Sequence, residues 1–367
     1  GLVKEQIEPT PLIREEARKI VASIPARDLR GRVQAIHRYV LEKTRYVGLE
    51  LGIHSYKPYE VEQVLRRGFG DCKDKAALTH ALLRAVGIDS RLVLLRMRSL
   101  GRVEEEPASL AVFNHAILYV PALDLYLDGT AEWSGISELP EADRDAEILI
   151  VHPDGSGTRT RTGDGPMETN LVETRLSLSL GEEGRAKGEG ALEAVGIVAP
   201  GLRQAYASPN RRKQAIERRF GRTYPGLDAE AVEISDPRAI DEPFAIRFQV
   251  EIPSFAEERA DGDLGRRRHP LVLPPPGRER LRVEVELPEG ADLRELPEGG
   301  EIRSPFGVFL LSARVEANRL VLEREFSLEA SRIAPEAYSD FRDFLRQVDA
   351  MAAPRVLLRK VASEPTG

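Results

Sequence analysis

The chain holds a single cysteine, Cys72, within Gly70-Asp71-Cys72-Lys73-Asp74, directly ahead of a helical pattern over 75–86 that stops at Gly87. Asp71 suits the N-cap, and Asp74, three residues on, completes a capping box. Cys72 then falls in the first turn, where open amides and the positive end of the helix dipole stabilise a thiolate. Such a thiolate is a nucleophile in search of a base and of a group to orient that base. The competing reading is a small buried residue that happens to open a helix. The charged neighbours Asp71, Lys73 and Asp74 argue against a deep apolar setting.

A base and an orienting carboxylate are offered by the segment 112–128. Residues 112–120 and 125–128 read as two strands around Pro121-Ala122-Leu123-Asp124. Side chains alternate along a strand, so Phe113, His115, Ile117 and Tyr119 share one side. A two-residue turn sets His115 opposite Asp128. A four-residue loop sets Asp128 opposite Ile117, diagonal to His115 on the same side. Either length brings His and Asp together, and a carboxylate beside an imidazole fixes its tautomer and stabilises its charged form. Taken alone, a surface His near a surface Asp is the simpler reading. His37 and His80 are read as structural; His80 lies two turns beyond Cys72, too far to serve as its base.

Several elements must position these groups. Thr10-Pro11 opens a helix over 12–24, and a second helix over 29–44 gathers Val33, Ile36, Val40 and Leu41 on one side. A Gly- and Tyr-containing loop over 46–60 leads into a short helix at 61–65, and residues 91–96 form a buried strand. Asn114 is placed to hold the loop before His115, facing away from it. The Gly-, Ser- and Thr-rich stretch 154–165 reads as a domain boundary.

The runs KTRYV (43–47), YKP (56–58), VLRR (64–67), GDCKDKAALTHALLRAVGI (70–88), FNHAILYV (113–120) and LYLDGT (125–130) resemble the core of the transglutaminase-like superfamily, above all its bacterial multidomain members. The resemblance spans residues 10 to about 155. It implies an α+β, papain-like core, a cysteine helix packed on an antiparallel sheet, with Cys72, His115 and Asp128 as catalytic triad. It implies no cofactor and no metal, and a protein or peptide as substrate. Cys72, His115 and Asp128 could together ligate zinc, but the usual paired spacing and a fourth ligand are missing. Tyr46 or Tyr56 is a candidate second oxyanion donor beside the Cys72 amide, and Trp133 a candidate wall of the cleft, with core packing as the alternative for each.

The rest of the chain reads as β-rich. Leu176, Leu178 and Leu180 share a face of one alternating strand, and 186–195 is its return. A basic helical stretch over 200–220 carries Arg203, Arg211, Arg212, Lys213, Arg218 and Arg219, read as a solvated face rather than an anion site. Strands follow near 231–234, 244–252, 281–287, 308–311 and 320–326. The basic run 266–269 reads as an exposed turn, and 335–351 as a helix. The expected domains are 1–160, a cysteine domain; 161–260, β-rich with the basic helix; and 261–367, β-rich and ending in a helix. By resemblance this half is a sandwich-like scaffold without chemistry of its own, and a β-rich domain that often precedes the cysteine domain in such proteins would make this chain a fragment.

With 53 basic and 60 acidic residues the net charge is −7, which argues against nucleic-acid binding. No apolar window reaches the length of a membrane span. A periplasmic or secreted location follows from the resemblance alone, and the oligomeric state stays open. Two function classes therefore compete. One is a cysteine hydrolase or acyltransferase working through a thioacyl-enzyme, with hydrolysis slightly preferred over cross-linking. The other is an inactive scaffold or binding protein on the same fold.

Overall fold

The computed structural model describes residues 3–48, 51–103, 109–165, 169–180, 185–253, 271–287, 292–316, 318–353 and 357–359. The chain forms two compact units, Gly1–Asp164 and Gly165–Gly367.

In the first unit, four helices gather on an antiparallel sheet. α1 (Pro11–Ile20) starts as expected, with the Ile13 amide donating to the Thr10 hydroxyl over 3.4 Å. It ends before 24, in turns that lead to Pro25, a residue that disfavours helix ahead of it. α2 (Leu29–Lys43) is capped by Asp28, and α3 (Val61–Arg67) closes on Gly68 in the left-handed conformation. Before and after α3, β1 (Arg45–Tyr46) and β2 (Phe69–Gly70) pair in parallel. α4 (Cys72–Ala85) follows at once.

The sheet is built from β3 (Arg91–Arg96), β4 (His115–Val120), β5 (Leu125–Leu127), β6 (Glu147–Val151) and β7 (Gly157–Arg161), in the order β5-β4-β3-β6-β7. Alternation sorts the two faces. Leu118, Val120 and Leu127 join Leu78, Ala81 and Leu82 of α4 in the helix-side core, while Val93, Leu95, Ile117, Ile148 and Ile150 make a second, smaller core. β4 begins at 115 rather than 112. The Asn114 side chain accepts from the Met97 amide at 2.9 Å, and 110–112 curls into a 3₁₀ turn capped by Ser109. β7 falls inside the stretch read as a boundary, and the two units divide at the end of that stretch, between Asp164 and Gly165.

The second unit is dominated by one eight-stranded sheet. Its strands are β8 (Leu171–Leu180), β9 (Ala186–Val195), β10 (Asp228–Ile234), β11 (Phe244–Ile252), β13 (Gly277–Glu286), β15 (Gly300–Ser304), β16 (Gly307–Glu316) and β17 (Arg319–Leu328). The order is β10-β11-β9-β8-β13-β17-β16-β15, so strands from before and after residue 260 share one sheet. Every pairing is antiparallel except β8 with β13. Two short ribbons join β12 (Leu271–Val272) to β18 (Arg332–Ile333) and β14 (Asp292–Glu295) to β19 (Leu357–Arg359).

The basic stretch is two helices, α5 (Val198–Tyr206) and α6 (Arg212–Phe220), split by a 3₁₀ turn at Pro209. Leu202, Tyr206, Ile216 and Phe220 bury against Leu176, Leu178, Phe244 and Phe248 of the sheet. Arg203 is not solvated: it is 1% exposed and donates to the Glu242 carbonyl at 2.8 Å. The helix expected at 335–351 is α7 (Tyr338–Ala352), whose Phe341, Phe344 and Val348 pack on Phe309 and Leu311. The run 266–269 and the side chain of Leu180 lie outside the described residues.

Candidate active site

The site begins with the start of α4. Asp71 takes the N-cap, its carboxylate accepting the Asp74 amide at 3.2 Å, and the Asp74 carboxylate returns the bond to the Asp71 amide at 3.3 Å. Asp74 also accepts the Tyr59 amide at 2.8 Å and pairs with Arg67 at 2.7 Å, and Lys73 pairs with Asp71. Both aspartates are fully buried. Buried charges held this way keep one geometry, because any other would strand a carboxylate in the interior. Gly70 permits the close approach: a Cβ there would sit 2.6 Å from the Cβ of Asp74.

Cys72 is thereby fixed as the first helical residue, partly exposed. The Lys75 amide donates to the Asp71 carbonyl at 3.0 Å. The Cys72 and Lys73 amides, at the first two helical positions, have no partner within the helix. One turn on, Lys75 is fully buried and donates to the Thr44 carbonyl at 2.7 Å. Burial pulls its ammonium pKa down to about 8.

The hairpin uses the four-residue loop. Leu118 pairs with Leu127 and Val120 with Leu125, a register that sets position 128 level with Ile117. Asp124 turns the chain at φ 46° and accepts the Tyr119 hydroxyl at 2.8 Å. His115 opens β4 and Asp128 follows β5, both nearly buried, with His115 Nε2 3.3 Å from Asp128 Oδ2. The Asp128 Oδ1 accepts the Thr130 amide at 2.8 Å and hydroxyl at 2.7 Å. Gly129 lets this loop lie on α4, since a Cβ there would stand 3.2 Å from the Lys75 Cβ. Burial alone would drive His115 toward the neutral form. Hydrogen bonds to Asp128 and to Cys72, with the charges of Asp128 and Asp143, more than reverse that and raise its pKa to about 11. Asp128 is correspondingly held below its ordinary value: burial would raise it, but His115 and Thr130 outweigh that.

Cys72, His115 and Asp128, far apart in sequence, therefore meet. The secondary candidates stand differently. Tyr46 runs alongside Gly70 in the β1–β2 pair and is 47% exposed, whereas Tyr56 is 60% exposed in the loop ahead of α3. Trp133 is half-buried. His37, read as structural, is buried at 2% exposure, beside a shallow depression that Asp128, Ser134 and Glu138 also line. His80 bonds the Ser90 hydroxyl at 2.9 Å, and burial lowers its pKa to about 4.

One residue escaped the sequence reading. Asp143, in the 3₁₀ turn Glu141–Asp143, is 1% exposed and brings Oδ2 to 3.8 Å from His115 Nε2. Ligand atoms of His115, Asp128 and Asp143 lie within 4.8 Å of one another. Asp128 and Asp143 both favour the charged ring of His115, and the three groups are read as an acid–base cluster.

Residues 17–118 match the model of the transglutaminase-like superfamily. The first unit carries a transglutaminase-like core. Residues 250–358 match a domain of unknown function with solved structure, DUF3858. No curated protein matches the chain. Among solved structures, a candidate protease from Parabacteroides distasonis aligns over 97% of this chain and 56% of its own, with TM-score 0.59 and 16% identity. This chain thus spans a little over half of that relative's length, and the likeness establishes fold. A candidate cysteine protease from Cytophaga hutchinsonii aligns over 44% of this chain and 54% of its own, at 18% identity and TM-score 0.26. The transglutaminase-like core, the mixed helix and sheet and the β-rich second half agree with the sequence expectation, and no described helix is long and apolar enough to cross a membrane.

Proposed function

We propose that this chain is a cysteine-dependent acyl-transfer enzyme acting on protein or peptide amides through a thioacyl intermediate, with hydrolysis as the outcome. The reading is carried by one observation: His115 lies 3.3 Å from Asp128, and Cys72, the first residue of a capped helix, is among the groups that keep the ring charged. In this reading the Cys72 thiolate attacks the amide carbonyl. The Cys72 amide, with the Lys73 amide beside it, donates to the oxyanion. His115 as imidazolium gives its proton to the leaving amine, which departs, leaving acyl on sulfur. It then takes a proton from the incoming water, and Asp128 holds the ring throughout. An amine in place of water would make the same intermediate a cross-link.

The test is the rate of Cys72 alkylation by iodoacetamide against pH, in the wild type and in His115→Ala, followed by assays of peptide-amide hydrolysis and amine transfer. The wild type should react rapidly well below pH 7, and His115→Ala should be slower there by about tenfold or more. A thiol that is inert, or indifferent to His115, overturns the proposal and leaves a scaffold on an enzyme fold.

A further inference from the structure

Beyond the three residues so far given roles, Asp143 is the buried group that the chemistry above leaves without a task. Its two carboxylate oxygens have no aligned hydrogen-bond donor among the described residues, although the side chain is 1% exposed. His115 Nε2 likewise has no acceptor in full hydrogen-bond alignment, standing 3.3 Å from Asp128 and 3.8 Å from Asp143. An imidazole N–H poised between two carboxylates, one of them otherwise unsolvated, is a built arrangement rather than leftover packing, because an unpaired buried carboxylate is costly.

We propose that Asp143 is a positioning residue of this site: a second, proton-bearing carboxylate that shares its proton with Asp128 and holds His115 as imidazolium across Nε2. The cluster is then neutral overall, one imidazolium with one carboxylate and one carboxylic acid. Two buried carboxylates at this range cannot both ionise easily, so one keeps its proton. Thr130 already supplies two donors to Asp128, which marks Asp143 as the protonated partner. Burial first, then the Asp128 charge, raises the Asp143 pKa to about 8, against the opposing pull of His115.

The backbone around Asp143 is tied down. Its carbonyl accepts the Thr162 hydroxyl at 2.5 Å, and Arg144 donates to the Leu139 and Asp164 carbonyls at 2.8 and 2.5 Å. Nearby cations are committed elsewhere: Arg98, on the 3₁₀ turn packed against this one, pairs with Asp164 at 3.1 Å, and Lys75 serves Thr44. The neighbouring carboxylates Glu138 and Glu147 bond the Gly135 amide and Arg159. The charges left facing Asp143 are therefore those of Asp128 and His115.

This inference rests on the acyl-transfer reading only for its consequence, a His115 that stays charged until it must donate. Its test reads the ring rather than turnover: histidine side-chain NMR from pH 5 to 11 in wild type, Asp143→Asn and Asp143→Glu. The wild-type His115 ring signals should step near pH 8 as Asp143 ionises. In Asp143→Asn the step should vanish, with His115 losing its own proton at least about one unit lower, a tenfold smaller imidazolium fraction on that limb. Asp143→Glu should restore a step, and His80 should be unmoved in all three. A His115 titration identical in wild type and Asp143→Asn overturns the proposal. Should Asp143→Asn not fold, the carbon-detected titration of the wild-type Asp143 carboxyl decides: a midpoint near 8 supports it, and one below about 5 overturns it. An inert Cys72 with the step still present would sink acyl transfer and leave Asp143 its role.

Discussion

At the scale of single residues, the site is a set of proton affinities pushed apart by burial and by each other. Asp128→Asn keeps the shape but offers His115 no charge, and should lower amide turnover by about two orders of magnitude or more while leaving the fold in place, as circular dichroism would show. Stability should follow pH through the same groups. Asp143, whose folded pKa is raised to about 8, favours the fold below about 4, and that contribution is lost as pH rises to 8. His115, raised to about 11, favours the fold below about 6.5, and that is lost as pH rises toward 11. Melting temperature should therefore fall from pH 5 to pH 9, and Asp143→Asn should flatten the lower part of that slope and gain about 2–5 kcal/mol at pH 8. An unchanged slope in the variant would remove Asp143 from the linkage. The meeting of His115 with Asp128 is legible in the sequence because strand parity survives either loop length. Asp143 is not, because it sits in an irregular turn fifteen positions after Asp128, where no periodicity says which way a side chain points.

At the scale of elements, α4 and its cap carry the site. Asp71→Ala removes a cap whose carboxylate also pairs with Lys73, and should cost about 2 kcal/mol or somewhat more in urea denaturation. Gly70→Ala drives a methyl to 2.6 Å of the Asp74 Cβ and should cost at least about 1–3 kcal/mol, with slower Cys72 alkylation because the helix start shifts. Equal stability and alkylation in both variants would mean that the cap does not set the position of Cys72. The cap, the helix end at Gly87 and the hairpin are all readable from local residues. The burial of Arg203 within 200–220 is less so, since it donates to the Glu242 carbonyl on a distant loop, a tertiary demand that composition does not announce. β7 is hidden in the sequence for a similar reason: charged Arg159 and Arg161 mask an edge strand whose pairing is supplied by β6 and whose charges are matched by Glu147 and Asp145.

At the scale of the whole molecule, each unit has its own core, and the second joins residues far apart in the chain. β8 lies parallel to β13 over Arg278–Glu286, which it meets at Leu171–Ser179. The four strands on one side of that seam come from residues 171–252 and the four on the other from 277–328. Each set is antiparallel and drawn from its own stretch of chain, in the order β8-β9-β11-β10 for the first and β13-β17-β16-β15 for the second, whereas the seam closes a loop of about a hundred residues and must come late. During synthesis the first four strands are therefore complete while β8 still presents an unpaired edge, with Val172, Leu176 and Leu178 on one face of it. Such an edge is a template for another chain, so the interval between emergence of residues 180 and 286 is when nascent copies are most prone to pair with each other.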